Sequence, residues 1–239
     1  VDTEKNYEGF TVDEGKKEII TQTISLCIWF AFILFLSGNW FWIGGWIFAL
    51  WFIGLTLARN IYLHRKDPEL LKERSMKPGT GNQKGWDKYL MYIIGAIFIT
   101  WFLIMPLDAQ RFAWTTNFPV WLQVVGGILL VISFFFSYRA YTDNTFLSPL
   151  VRIQTERKQK VVSTGVYGFV RHPLYLGDAL FFIGTPLLLG SKYGLILGVV
   201  MLFIIAVRIV GEEKMLVEDL EGYSDYQNKV KSRLIPFLW

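Results

Sequence analysis

The chain has 239 residues, of which 53% are apolar, 17% aromatic and only 18% charged, against roughly 25% charged in an ordinary soluble domain. That balance excludes an ordinary soluble domain and a disordered chain, and a single cysteine, Cys27, excludes an internal disulfide. The net charge of +4 is too small to indicate nucleic acid, so the placement of the charges says more than their sum.

Residues 1–18 mix Asp, Glu and Lys without periodicity and read as an N-terminal arm. No cleavable signal peptide is legible there. From Ile19 to Ala58 there is no charge, and at roughly 20 residues per crossing this stretch (19–58) holds two spans. Ser37, Gly38 and Asn39 supply the turn between them. Residues 59–88 form a basic loop with a short surface helix around Pro68 to Arg74. Charge-free runs at Tyr89 to Leu107 and Phe112 to Tyr138 place spans three and four within 89–138. Leu174 to Leu189 and Tyr193 to Val207, interrupted only by Asp178 and Lys192, are spans five and six of a C-terminal region, 139–239, that ends in a tail. Backbone groups in hydrocarbon must be paired within their own segment, and alternation of the barrel type is absent. The expected fold is therefore all-α: a polytopic membrane protein of about six transmembrane helices, closing with a helical hairpin. No internal repeat or pair of broken helices suggests a transporter.

Lys and Arg fall as 3 before the first span, then 0, 8, 1, 6, 1 and 5 in successive connections, so 22 of 24 lie on one side. By the positive-inside rule both termini and the two long loops are cytoplasmic.

The segment from Val162 to Gly184 is the most informative. Pro173 suits the first turn of a helix, which puts Arg171 and His172 at its N-terminus, where free N–H groups and the positive dipole end receive anions. Arg171, Tyr175 and Asp178, spaced i, i+4, i+7, share a stripe. The plainer alternative is headgroup snorkelling with Tyr175 in an aromatic belt. Asp178 weighs against it: an acid inside a span is a functional candidate, although pairing with Arg171 would also explain it. The link Gly190 to Lys192 is so short that the end of span six must return beside the start of span five. There Arg208 and Glu212 share a face with Glu213 adjacent, either as a helix-end ion pair or, with the first cluster, as the wall of a polar pocket. No metal centre is expected, because His64, His172 and Cys27 lack ligand spacing. His64 reads as a headgroup residue, Cys27 as a buried packing residue, and the aromatic run from Trp40 to Trp51 as lipid-facing or core surface.

The motif TGVYGFVRHPLYLG at 164–177, the pair EE at 212–213 and the tail GYSDYQNKVKSRLIPFLW at 222–239 resemble the integral-membrane methyltransferases of the isoprenylcysteine carboxyl methyltransferase and phospholipid methyltransferase type. PELLKERS at 68–75, WDK at 86–88 and VRIQTERKQKVV at 151–162 extend the likeness to prokaryotic members. The resemblance implies S-adenosylmethionine as cofactor, bound by the hairpin's cytoplasmic end. Tyr167, Arg171, His172, Pro173, Tyr175 and Gly177 would line its site from one side and Glu212 and Glu213 from the other, with Arg208, Glu212 and His172 as the catalytic set. The donor's carboxylate suits Arg171 or His172, its ammonium suits a glutamate, and a close backbone approach would explain Gly177. The acceptor would be a hydrophobic, membrane-borne or lipidated molecule, a prenylcysteine carboxylate or a phospholipid amine; a pre-ionised acceptor is expected, which needs no general base, whereas an amine or thiol would call on His172, Glu212 or Glu213.

Two other readings stay open. Membrane sterol reductases carry a related R-H-P-N-Y element, and Asp178 after the glycine resembles them, although Leu174 replaces the Asn; that reading implies NADPH. A non-enzymatic scaffold or small transporter is the other, with only Asp178 to serve a solute path.

Overall fold

The computed structural model describes residues 12–235 and 239, so the expectation for the first eleven residues of the arm lies outside the described part. The described residues are helical, with no strand: α1 (Val12–Ser37), α2 (Ile43–Lys66), α3 (Pro68–Arg74), α4 (Gly85–Pro106), α5 (Val120–Asp143), α6 (Pro173–Leu189), α7 (Lys192–Asp219) and α8 (Tyr223–Lys229).

Five of these are long and apolar enough to cross a membrane, with Gly85–Arg111 counted as one span because α4 runs directly into a π-helical turn. The chain is a multi-pass membrane protein. The shorter α6, 17 residues, reaches roughly 26 Å, against roughly 30 Å of hydrocarbon. It packs closely on α5 and α7. Four buried residues, Gly177, Phe182, Gly184 and Thr185, lie along its middle.

Several boundaries differ from the sequence expectation. Helix α1 starts at Val12 rather than Ile19, because the charged turn Asp13–Lys17 continues the helical register beyond the apolar run. Span four begins at Val120, not Phe112: Ala113 and Asn117 have φ of +48° and +53°, which breaks any helix before Pro119. The helix at Pro68–Arg74 forms as expected but is not superficial, since Leu70, Leu71 and Glu73 are buried. Asp67 caps it by accepting from Leu70 N at 3.0 Å, with Pro68 in the first turn. The turn at Ser37–Asn39 also forms, with Gly38 at φ +68°. Cys27 is exposed on the outer face of α1 rather than buried.

Inside the bundle, Phe30, Phe48, Trp101, Phe102 and Phe182 form one aromatic core across α1, α2, α4 and α6. Trp42 and Phe48 of the Trp40–Trp51 run are in this core, while Trp40, Phe41, Trp46 and Ile47 stay on the outer surface. Contacts between connections place the ends on two faces. Ser75 after α3 meets Glu18 of α1 at 3.5 Å, and Asn39 meets Gln110 at 3.0 Å on the other side.

At that second face Asp108 is fully buried. It accepts from Thr115 N and Oγ1 at 2.8 and 2.9 Å, Ser191 Oγ at 2.6 Å and Tyr193 N at 3.2 Å. These bonds saturate the carboxylate and lock the α6–α7 turn. From that turn α7, with 28 residues, outruns α6 by roughly 16 Å. The shortfall of α6 leaves a recess at the basic face, roofed by residues 144–172 and α8.

Candidate active site

The recess is built from the start of α6 upward. Pro173 opens the helix and His172 is its N-cap with φ −126° and ψ 63°, so Arg171 lies outside the helix and off the Tyr175–Asp178 stripe. Arg171 does not pair with Asp178. Its Nε donates to Glu213 at 2.6 Å and its Nη1 to the carbonyls of Val230 and Lys231 at 2.6 and 2.8 Å. Glu213, also buried, accepts from His172 Nε2 at 3.2 Å and Arg233 Nε at 2.7 Å. A carboxylate only accepts, so Nε2 is the donor in that contact. Backbone bonds complete the clamp: Arg171 N and His172 N donate to Ser232 O and Arg233 O, both at 3.0 Å. Arg171, His172 and Glu213 thus fasten the tail across the helix start.

Arg208 and Glu212 do not pair with each other, contrary to the plainest reading of their spacing. Arg208 Nε donates to Asp87 Oδ1 at 2.8 Å and its Nη2 to Pro149 O at 2.6 Å, and its guanidinium lies 5.7 Å from the centre of the Tyr175 ring. Asp87, wholly buried, also accepts from Gln83 Nε2 at 2.7 Å and Val151 N at 2.9 Å. Glu212 accepts instead from Tyr175 OH at 2.7 Å.

Two cavities meet here. A polar one of about 240 Å³ is lined by Tyr167, Arg171, His172, Pro173, Glu212 and Tyr223, among others. An apolar one of about 340 Å³ runs between α2, α4, α5 and α6 past Trp51, Phe52, Phe98, Phe134 and Phe181. Arg74, Ile94, Leu174, Tyr175, Asp178 and Arg208 line both. The junction thus has an acid, two arginines and a phenol.

Two residues expected at the cofactor lie elsewhere. Gly177 faces α5: a Cβ there would stand 2.5 Å from Ser137 Oγ and 3.0 Å from Ser133 O. Ser133 Oγ donates to Gly177 O at 2.7 Å. Its lack of a side chain serves helix packing, not approach to a ligand. Glu213 lies behind the polar cavity rather than on its wall. The cavities also draw walls from α2, α3 and α4, so the site reaches beyond the C-terminal region 139–239.

The residues that sequence reasoning missed are Asp87, Arg74, Arg59, Tyr223 and Tyr226. An acid in the first turn of an apolar span was a usable signal for Asp87; nothing local marks the others. Tyr226 OH donates to Tyr167 O at 2.7 Å, while Tyr223 OH is buried without a partner among the described residues. Burial pushes the hydroxyls of Tyr167, Tyr223 and Tyr226 above the ordinary phenol value, which keeps them neutral donors. No group of three or more His, Cys, Asp or Glu side chains could hold a metal among the described residues.

A helical membrane bundle with a polar cavity at one face and an apolar cavity within the span defines the class: an intramembrane protein with two joined cavities of different character. Comparison with known proteins narrows it. Residues 121–221 match the phospholipid methyltransferase family model. The protein-S-isoprenylcysteine O-methyltransferase of Saccharomyces cerevisiae is 37% identical over 121 residues, which cover 49% of this chain and 50% of that protein. The B form of that enzyme in Arabidopsis thaliana is 31% identical over 127 residues, 52% of this chain and 61% of that one. The matched region thus spans between half and about three-fifths of these relatives' lengths. A solved structure, the eukaryotic intramembrane Ras methyltransferase ICMT (isoprenylcysteine carboxyl methyltransferase), shares the fold with TM-score 0.52 at 19% identity, covering 92% of this chain and 86% of that one. The chain is thus similar over its C-terminal half to phospholipid methyltransferases and to protein-S-isoprenylcysteine O-methyltransferases, and shares its fold with the latter.

Proposed function

We propose that this protein transfers a methyl group from S-adenosylmethionine to a hydrophobic, membrane-borne acceptor of the prenylcysteine carboxylate kind. The observation that carries this reading is the junction of a polar cavity and an aromatic-walled cavity at Tyr175, Asp178 and Arg208. A water-soluble donor and a lipid acceptor need two entrances and one meeting point. The 22 basic residues on one side support a cytoplasmic opening for the polar cavity and cytoplasmic termini.

The polar cavity fits the donor on its own chemistry. Tyr223 OH is an unpaired donor, Glu212 offers a carboxylate for an ammonium, and the free N–H groups opening α6 suit a carboxylate. Bound there, S-adenosylmethionine would supply an electrophilic methyl on a sulfonium. Tyr167, Arg171, His172, Pro173, Tyr175 and Glu212 would hold it. Gly177 would act by packing α6 on α5, and Glu213 by fixing Arg171, His172 and the tail.

Displacement at a methyl group needs alignment more than acid or base, so pre-organisation is the main contribution of the protein. Arg208 is held at two points by Asp87 and Pro149 O, which fixes its guanidinium at the junction. It would orient the acceptor oxygen. His172 directs Nε2 at Glu213, which commits the ring to positioning the start of α6 and the tail. The test is methyl-labelled donor with purified protein in lipid nanodiscs. A base-labile methyl ester on an S-alkylated cysteine acceptor is expected, with a rate flat between about pH 6.5 and 8.5, as when no group titrates in the central step. Donor binding with methyl transfer only to an amine, rising tenfold per pH unit, would overturn the carboxylate assignment. Binding of NADPH without S-adenosylmethionine would overturn the methyltransferase reading.

A further inference from the structure

The inner end of the apolar cavity carries more positive charge than its neighbours balance. Arg59 of α2 and Arg74 of α3 both lie on the buried Tyr141 ring, with guanidinium carbons 5.2 and 5.3 Å from its centre. Both line the apolar cavity, and Arg74 lines the polar one as well. Arg59 donates from Nε and Nη2 to Asn60 Oδ1 at 3.1 and 3.0 Å, and its Nη1 reaches Tyr141 OH only at 3.4 Å. Among the described residues, Arg74 has no hydrogen bond and no carboxylate within 4.0 Å. Its five N–H donors are therefore uncommitted.

Charge accounting at this place gives an excess. Arg208 is matched by Asp87. Glu212 lines the polar cavity but not the apolar one. Asp178 is the acid that faces Arg59 and Arg74 on the apolar side. Two guanidinium groups and one carboxylate leave one positive charge, in a region where two like charges held on one ring repel each other. A single anion would relieve that repulsion and take up the free donors of Arg74, bidentately if it is planar. The aromatic cavity leading away from the pair accepts a hydrocarbon chain, not a second charge.

We propose that Arg59 and Arg74, presented together by Tyr141, are the specificity-determining residues for the acceptor: they bind the carboxylate head of an amphiphile whose tail fills the apolar cavity. This rests on the methyltransferase reading only for the name of the ligand, because the binding itself needs no donor. The pair selects an anionic head and places it beside Tyr175 and Arg208, where the cavities meet.

The test measures equilibrium binding of labelled S-hexadecyl-N-acetylcysteine, and of its carboxamide, to the full chain in phosphatidylcholine nanodiscs without methyl donor. The carboxylate should bind the unsubstituted protein about tenfold or more tighter than the carboxamide, as expected for a hydrogen-bonded charge. Arg74→Gln and Arg59→Gln should each remove most of that preference while leaving carboxamide affinity unchanged, and Arg74→Lys should restore part of it. Unchanged carboxamide binding also shows that the variants are folded. Equal affinity of the unsubstituted protein for both probes would overturn the proposal, as would a preference surviving Arg74→Gln. Tighter binding of hexadecyl phosphate than of the carboxylate would reassign the pair to a phospholipid headgroup and overturn it too. If the carboxylate preference holds but no methyl ester forms, the activity reading fails and the anion subsite stands.

Discussion

At the scale of single residues, a shared motif conceals different tasks. Gly177 of the motif at 164–177 and Glu213 of the pair at 212–213 look like ligand residues, yet their contacts are internal, while Arg171 lines the polar cavity and spends its hydrogen bonds on Glu213 and the tail. Replacing Gly177 by Ala would drive a methyl group to within 2.5 Å of Ser137 Oγ, and a forced shift of that kind costs roughly 1 to 3 kcal/mol. Thermal unfolding in detergent should show the loss, while donor affinity of the folded fraction stays within a factor of two or so. Affinity falling with no change in stability would return Gly177 to the ligand. Arg171→Ala removes one guanidinium from the buried Glu213, which keeps Arg233 and His172, and leaves the Val230 and Lys231 carbonyls without that donor, so it should cost roughly 1 to 3 kcal/mol. Glu212→Ala removes a half-exposed carboxylate with one phenol partner, and should leave stability nearly unchanged but weaken donor binding markedly, as calorimetric titration of both variants would reveal.

At the scale of elements, α3 shows how a loop becomes a wall. Glu73 accepts from Arg152 Nε and Nη2 at 2.9 and 2.8 Å and from Ser148 Oγ, which ties α3 to the roof over the polar cavity. Burial alone would raise the Glu73 pKa; the bonds from Arg152 and Ser148 outweigh it and leave the carboxyl below its ordinary value. The folded-state pKa is depressed, so this clamp contributes fully above the unfolded value of about 4.3. Its contribution disappears as pH falls through the folded value. Hydrogen exchange of residues 146–152 should therefore be slow at pH 7 and accelerate below about pH 4. Glu73→Gln should be fast at both, and a protected segment in that variant at pH 7 would show that the roof is held by other contacts.

At the scale of the whole molecule, five long apolar helices and the shorter α6 put the polar cavity and the basic connections on one face. Cysteines placed at Asn82 and Thr155, in a Cys27→Ala background, should label from the opposite side to those at Asn39 and Asn117. Ser191 is unsuitable for labelling because it is fully buried against Asp108. Labelling of Asn39 and Asn82 from one side would break the six-pass arrangement.

What the sequence determined by itself follows from one-dimensional physics. Runs without charge must be helices in hydrocarbon, Lys and Arg collect on one side, Pro173 opens a helix, and a three-residue link forces the α6–α7 hairpin. The helical class and the convergence of Tyr175 with Glu212 were legible for that reason. Partner choice was not. Arg208 takes Asp87, 121 positions away, and not Glu212 four away; Arg171 takes Glu213 and not Asp178. Arg59 and Arg74 meet on Tyr141. Each buried charge seeks the partner that replaces most of its lost hydration, and which one stands close enough is decided by the packing of the helices rather than by spacing along the chain.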